Sequence, residues 1–456
     1  MKKLIFTFCL FLSLPVVSQT LKGSWKGELK TPQTNLALNL HFSFEEGVWS
    51  GTMDSPNQGA FGIPFDKVSY VENKLEASIS QLSLSISGVV SKSSIQATFK
   101  QGLFTQDLEL SKMEASKPKR PQMPQAPYSY RQEELSFNSS QEGVRLHATL
   151  SLPKQEGKHP AILLIAGSGP LDRDETIYEH KPFAVLADFF CKQGFAVLRY
   201  DKRGVGQSTG SYATATTLDF AEDARAAYHF LQQHPQIQTD QIGLIGHSEG
   251  GIIAPILASK EKDIKYIVLL AAPGVNGNLL LKEQYEDLLA YQEMPNELKT
   301  ALLNCQIQLN NYVFNFAQQE DFEAKLAKEV KKIIAQNKLE EVYPEKVQKK
   351  LLTQLSSDWY RSFLLLDPAK YLSQVNCPIL ALNGENDKQV AADTNLKAIQ
   401  RAVSTKDLLY TKKYPQLNHL FQSSEKGTPE EYYQIEETFS ESVMKDIYLW
   451  IRTQLK

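Results

Sequence analysis

The chain has little cysteine, no surplus of charge of either sign and, beyond its first residues, no long hydrophobic run. Four cysteines in 456 residues are too few for a disulfide framework. Cys191, Cys305 and Cys377 are widely spaced, each beside apolar residues, and none has the spacing of a zinc site; they read as buried thiols. Lys and Arg number 49 against 52 Asp and Glu, a net charge of −3. A nucleic-acid binder would present a basic face, so no nucleic-acid partner is expected. Gly204-Val205-Gly206 follows a strand signal, but Thr209 stands where a dinucleotide loop needs its third glycine. Gly167-Ser168-Gly169 lacks the Gly-Lys-Ser/Thr ending of a phosphate loop, and no His-Glu-x-x-His is present. Neither cofactor nor metal is expected.

The one sustained apolar run covers residues 4–14, after Lys2-Lys3 and before Pro15-Val16-Val17-Ser18. It is too short to span a bilayer comfortably and ends in small residues, the pattern of a secretory leader. Cleavage is predicted after Ser18, which removes Cys9 and takes the net charge from −3 to −5. An exported protein, periplasmic or extracellular and without a membrane span, follows as the expectation.

The length allows two or three folding units. Residues 19–114 alternate with period two: Leu36, Leu38, Leu40, Phe42 and Phe44, then Leu82, Leu84 and Ile86, then Ile95, Ala97 and Phe99. That alternation predicts antiparallel strands with one buried face, in a barrel or a sandwich. Residues 115–127 are proline-rich and charged, predicting an extended linker. From 128 to 456 short apolar runs alternate with helical patterns. Strands are predicted at 161–165, 195–200, 242–245, 267–271 and 379–382. A helix is predicted over 216–234, with Thr216 and Asp219 at its start. This pattern predicts a doubly wound, mostly parallel sheet covered on both faces. Residues 276–366 lack strand signals and carry helical stripes, predicting a helical cap inserted between core strands.

The run from Ile242 breaks into Gly246-His247-Ser248-Glu249-Gly250, a Gly-x-Ser-x-Gly turn from strand to helix. Such a turn strains its serine and exposes the hydroxyl at its tip. A serine hydroxyl needs a base, and the base an orienting acid. In this architecture the acid follows a later strand and the histidine comes last. Asp387 fits the acid, with Glu385 as its rival two residues away. His419 fits the base, because His41 lies in the β-domain, His147, His159, His180, His229 and His234 precede the serine, and His247 adjoins it. Two oxyanion donors are expected: the amide of Glu249, and one from the Gly167-Ser168-Gly169-Pro170 loop, Ser168 first and Gly169 next. The run Asp172-Arg173-Asp174-Glu175 reads as a solvated loop or ion-pair network, or else as pocket lining that recognises a polar group.

These motifs together resemble the α/β-hydrolase superfamily from Tyr128 onward. Gly-His-Ser-Glu-Gly-Gly at 246–251, Gly-Ser-Gly-Pro at 167–170, Arg199-Tyr200-Asp201-Lys202-Arg203-Gly204 and Asn418-His419-Leu420-Phe421 are similar to exported bacterial carboxylesterases with an N-terminal β-domain. Gly23-Ser24-Trp25-Lys26-Gly27 and Asp54-Ser55-Pro56-Asn57-Gln58-Gly59-Ala60 resemble that companion domain. The resemblance implies Ser248, His419 and Asp387 as a triad cleaving small-molecule carboxylic esters through an acyl-enzyme. A serine peptidase acting on short peptides and a non-catalytic binding protein are the alternatives.

Overall fold

The computed structural model describes residues 19–30, 35–45, 47–58, 60–102, 104–113, 118–292 and 294–455. The leader and its cleavage point lie outside the described residues. The chain divides into two compact units, 1–117 and 118–456.

In the first unit the period-two pattern becomes a single nine-stranded antiparallel sheet curled into a half-barrel. One curled sheet around one core falls on the barrel side of the expected choice between barrel and sandwich. Strands Gly23–Lys30, Asn35–Glu45, Val48–Ser55 and Ala60–Pro64 make one meander. Lys67–Val71, Lys74–Ile79, Leu84–Val90, Ser94–Gln101 and Phe104–Lys112 make the other. The first and last strands join the two meanders, Trp25 pairing with Lys112. Trp25, Leu40, Ile86, Ile95 and Leu110 are buried in the shared core, and the Trp25 indole donates to the carbonyl of Leu21 at 2.8 Å. On the opposite face of the same strands, Ser24 and His41 are direct cross-strand partners. Ser24 Oγ lies 2.8 Å from His41 Nδ1, and His41 Nε2 lies 2.8 Å from Asp54 Oδ2. Asp54 can only accept, so Nε2 carries the proton and the Ser24 hydroxyl donates to Nδ1.

The second unit is an eight-stranded, mostly parallel sheet. Its strands are β1 (Arg131–Asn138), β2 (Arg145–Leu152), β3 (His159–Ile165), β4 (Ala196–Tyr200), β5 (Ile237–His247), β6 (Tyr266–Leu270), β7 (Ile379–Gly384) and β8 (Leu409–Tyr414). Their order is β1-β2-β4-β3-β5-β6-β7-β8, antiparallel at β1 and β2 and parallel from β4 to β8. Helices cover both faces, as central strands apolar on both sides require; one layer packs Leu244 and Ile267 among helical residues such as Ala224 and Ile253, the other packs Ile245 and Val268 against Phe183 and Ile447. This is the α/β-hydrolase fold. Helix α1 is Pro182–Lys192, and α2 is Thr217–Gln233, opened by the Thr216–Asp219 capping box; α3 is Gly250–Lys260. Between β6 and β7 the insertion folds as α4 (Gly277–Tyr291), α5 (Asn296–Phe316), α6 (Phe322–Gln336), α7 (Glu345–Ser356) and α8 (Asp358–Leu365), around a core of its own.

The described part of the proline-rich segment is not a free spacer. From Pro118 it belongs to the second unit, where the Arg120 guanidinium donates to the carbonyls of Tyr433 at 2.7 Å and Ile435 at 2.9 Å. Among the described residues, no helix is long and apolar enough to cross a membrane.

Candidate active site

The serine turn is built by steric necessity. Strand β5 ends at His247 and helix α3 begins at Gly250, leaving Ser248 at φ +52°, a conformation costing a non-glycine residue about 1–3 kcal/mol. A Cβ on Gly246 would sit 2.1 Å from the carbonyl oxygen of Gly250, and one on Gly250 2.0 Å from that of Ile165. Only glycines let strand, turn and helix pass this closely.

The acid and base arrive on two neighbouring loops. Asp387 follows β7, and Oδ1 accepts the main-chain N–H groups of Gln389 and Val390, each at 2.8 Å. Its other oxygen, Oδ2, lies 2.8 Å from His419 Nδ1. Both side chains are buried. Asn418 shapes the histidine loop: Oδ1 accepts from the amides of Leu420 and Gln422, both at 3.0 Å. Asp387 therefore meets the imidazole. Glu385 points out to Lys413 at 3.6 Å and is half exposed.

Ser248 and His419 line one cavity of about 170 Å³ with Gly167, Ser168, Glu175, Gln389 and Tyr432. With Nδ1 held by Asp387, Nε2 is the nitrogen that His419 would offer as the expected base. It shares no hydrogen bond with Ser248 Oγ in this arrangement, and such contacts commonly tighten only around substrate.

The two expected oxyanion donors separate here. Ser168 lines the cavity, and its amide, like that of Glu249, has no acceptor among the described residues. Gly169 is a correction. Its N–H donates to the Tyr212 hydroxyl at 3.0 Å, so it is spent before substrate arrives. Burial pushes that phenol up to about 12, which keeps it protonated.

The acidic run after the loop splits in two. Asp172 caps its own turn through the amides of Asp174 and Thr176. Arg173 forks onto Asp201 at 2.8 and 3.1 Å, and Asp174 pairs with Arg199 and Lys181. Arg173 and Asp174 form the expected ion-pair network. Glu175 does not, being 1% exposed and lining the cavity. Its Oε1 accepts from the Gly167 amide at 2.7 Å and lies 2.9 Å from His247 Nδ1. His247 Nε2 donates to the His419 carbonyl at 2.9 Å. Burial opposes the charged ring, but the Glu175 carboxylate outweighs it and holds the His247 pKa above its ordinary value. Sequence reasoning offered the run as pocket lining but missed the pairing of Glu175 with His247: 72 positions separate them, and no local spacing signals the contact.

The three thiols are free. Burial pushes Cys191 and Cys377 up to about 12 and Cys305 up to about 11, far from a reactive thiolate.

A family model described as X-Pro dipeptidyl-peptidase (S15 family) matches residues 142–414, more than half of the chain and all of the sheet from β3 to β8. The chain belongs to the S15 family. It is also 26% identical over 310 residues to Esterase EstD of Thermotoga maritima, covering 67% of this chain and 64% of that protein. It is 29% identical over 150 residues to the uncharacterized peptidase YtmA of Bacillus subtilis, covering 32% of this chain and 53% of the other. The chain thus spans less than two thirds of either relative's length. Among solved structures, α/β hydrolase GrgF from Penicillium sp. sh18 aligns with 71% of this chain and 96% of its own, at TM-score 0.43 and 17% identity.

Proposed function

We propose that this S15-family protein is a serine carboxylesterase that works through an acyl-enzyme. The observation that carries this reading is the convergence on one cavity of a strained serine, an imidazole held by a buried carboxylate, and the uncommitted amide of Ser168, with the uncommitted amide of Glu249 directly after the serine in the chain. Ser248 Oγ attacks the ester carbonyl and its proton passes to His419 Nε2, while Asp387 steadies the imidazolium. The carbonyl oxygen, now negative, receives the N–H groups of Ser168 and Glu249. His419 then returns the proton to the departing alcohol, and water activated by the same ring releases the acid.

An ester fits better than a short peptide with a free amino terminus. Glu175 is the acidic group lining the cavity beside the triad, and its Oε1 is already engaged by His247 at 2.9 Å and by the Gly167 amide. A neighbouring recess of about 180 Å³, lined by Leu288, Tyr291 and Pro429, shares Gln389 and Pro429 with the catalytic cavity and suits an apolar ester group. The peptidase reading retains the family's description in its favour. Paired assays on a p-nitrophenyl ester and an aminoacyl p-nitroanilide decide between them: turnover of the anilide alone would reverse the assignment. We also propose that the protein is exported, as its N-terminal pattern implies; a mature chain beginning at Gln19 by mass spectrometry supports this, and a retained Met1 overturns it.

A further inference from the structure

We propose that Lys202 is the positioning residue of the oxyanion hole, acting through the Gly167–Ser168 peptide; this rests on the serine-hydrolase reading above. Lys202 stands two residues past β4 and is 4% exposed, and a buried ammonium is retained only where fixed partners compensate its lost hydration. Its Nζ donates to the Gly167 carbonyl at 2.5 Å and to Glu249 Oε2 at 3.2 Å, and lies 4.3 Å from the centre of the Phe220 ring.

The first contact sets the donor. In a planar trans peptide the C=O and the following N–H point to opposite sides. Holding the Gly167 oxygen toward Lys202 therefore turns the Ser168 N–H the other way, on the residue that lines the cavity beside Ser248. Glu175 grips the Gly167 amide at 2.7 Å, so the glycine is fixed at both its N–H and its C=O. The second contact links the other donor. Glu249 supplies the second amide, and its carboxylate is pinned by Lys202, by Thr217 Oγ1 at 2.7 Å and by Trp359 Nε1 at 2.8 Å. One ammonium thus sets the relation between both N–H groups. Neither Lys202 nor the side chain of Glu249 needs to touch substrate.

The test uses the full chain and the variants Lys202→Met and Glu249→Gln. Four quantities are read: kcat and KM on p-nitrophenyl acetate, inhibition by an aryl trifluoromethyl ketone, and the thermal midpoint. The ketone forms a tetrahedral oxyanion on the serine, so it samples the hole as the transition state does. Misplacing one donor should lower kcat about 10²-fold in Lys202→Met, with KM within about threefold and ketone inhibition weakened by the same factor as kcat. Glu249→Gln, which keeps acceptors for Thr217 and Trp359, should show the same pattern at about tenfold. A folded Lys202→Met with unchanged kcat, or one that loses kcat while binding the ketone as before, overturns the proposal. If Lys202→Met does not fold, Glu249→Gln decides by the same criteria. Failure of unaltered Ser248 to react with a fluorophosphonate would remove the serine-hydrolase reading itself, and this proposal with it.

Discussion

The two units each hold a serine, a histidine and an aspartate, linked throughout in one and only in part in the other, and the contrast between them is instructive. In the β-unit the chain of hydrogen bonds is complete: Ser24 to His41 at 2.8 Å and His41 to Asp54 at 2.8 Å. In the catalytic unit Asp387 and His419 meet at 2.8 Å, while the serine still stands off the ring. Yet the complete chain has none of the surroundings that make chemistry. Ser24 lies in a regular strand whose main-chain groups pair with strands on both sides. Ser248 sits at a strained tip, ahead of a helix start, beside two unspent amides and a cavity of about 170 Å³. A hydroxyl bonded to a base is half of a nucleophilic site; stabilising the charge that follows attack is the other half, and main chain supplies it.

That contrast is sharpest under substitution. Ser248→Ala should lower ester turnover by about 10⁶-fold, whereas Ser24→Ala should leave it within twofold; steady-state kinetics measure both, and fluorophosphonate labelling confined to Ser248 checks them independently. Asp387→Asn should lower kcat about 10⁴-fold. Asp54→Asn should leave turnover alone and lower the β-unit's stability by about 1 kcal/mol, read by denaturant melts. Glu385→Gln should do neither; a crippled Glu385→Gln would exchange the acid assignment. Leu288→Trp, in the apolar recess, should cut kcat/KM about tenfold for bulky esters and spare methyl esters. A further effect is a response to acid. His180 is fully buried between Thr438 and the Tyr432 carbonyl, and burial lowers its pKa from 6.5 to about 4. A depressed histidine contributes nothing above pH 6.5; below it the unfolded chain takes up the proton first, so stability falls as pH drops toward 4. Melts at pH 7 and pH 4.5 should differ by about 2 kcal/mol more in the unaltered protein than in His180→Gln.

Much of this was legible beforehand, for identifiable reasons. The elbow around Ser248 is local, because its glycines are required by contacts within a few residues, and His419 could be reached by elimination. The choice of Asp387 over Glu385 could not, since both stand in one turn and only its direction separates them. Gly169 looked as free as Ser168 until Tyr212, 43 residues on, claimed its amide. Strands β1 and β2 escaped notice although their period is two: β1 is an edge strand whose Glu133, Glu134 and Asn138 hide the alternation. The proline-rich segment read as a spacer from composition, yet Arg120 binds it to carbonyls some 310 residues away.

One contact carries a consequence for how this scaffold can diversify. Trp359, on the last helix of the insertion, bonds the carboxylate next to the nucleophile. Grafting a foreign lid between β6 and β7 would therefore do more than change which molecules enter. Unless the graft brings an equivalent donor, the recipient loses one of the three side chains that hold the Glu249 carboxylate, so α4 to α7 can be exchanged at less cost to that contact than α8.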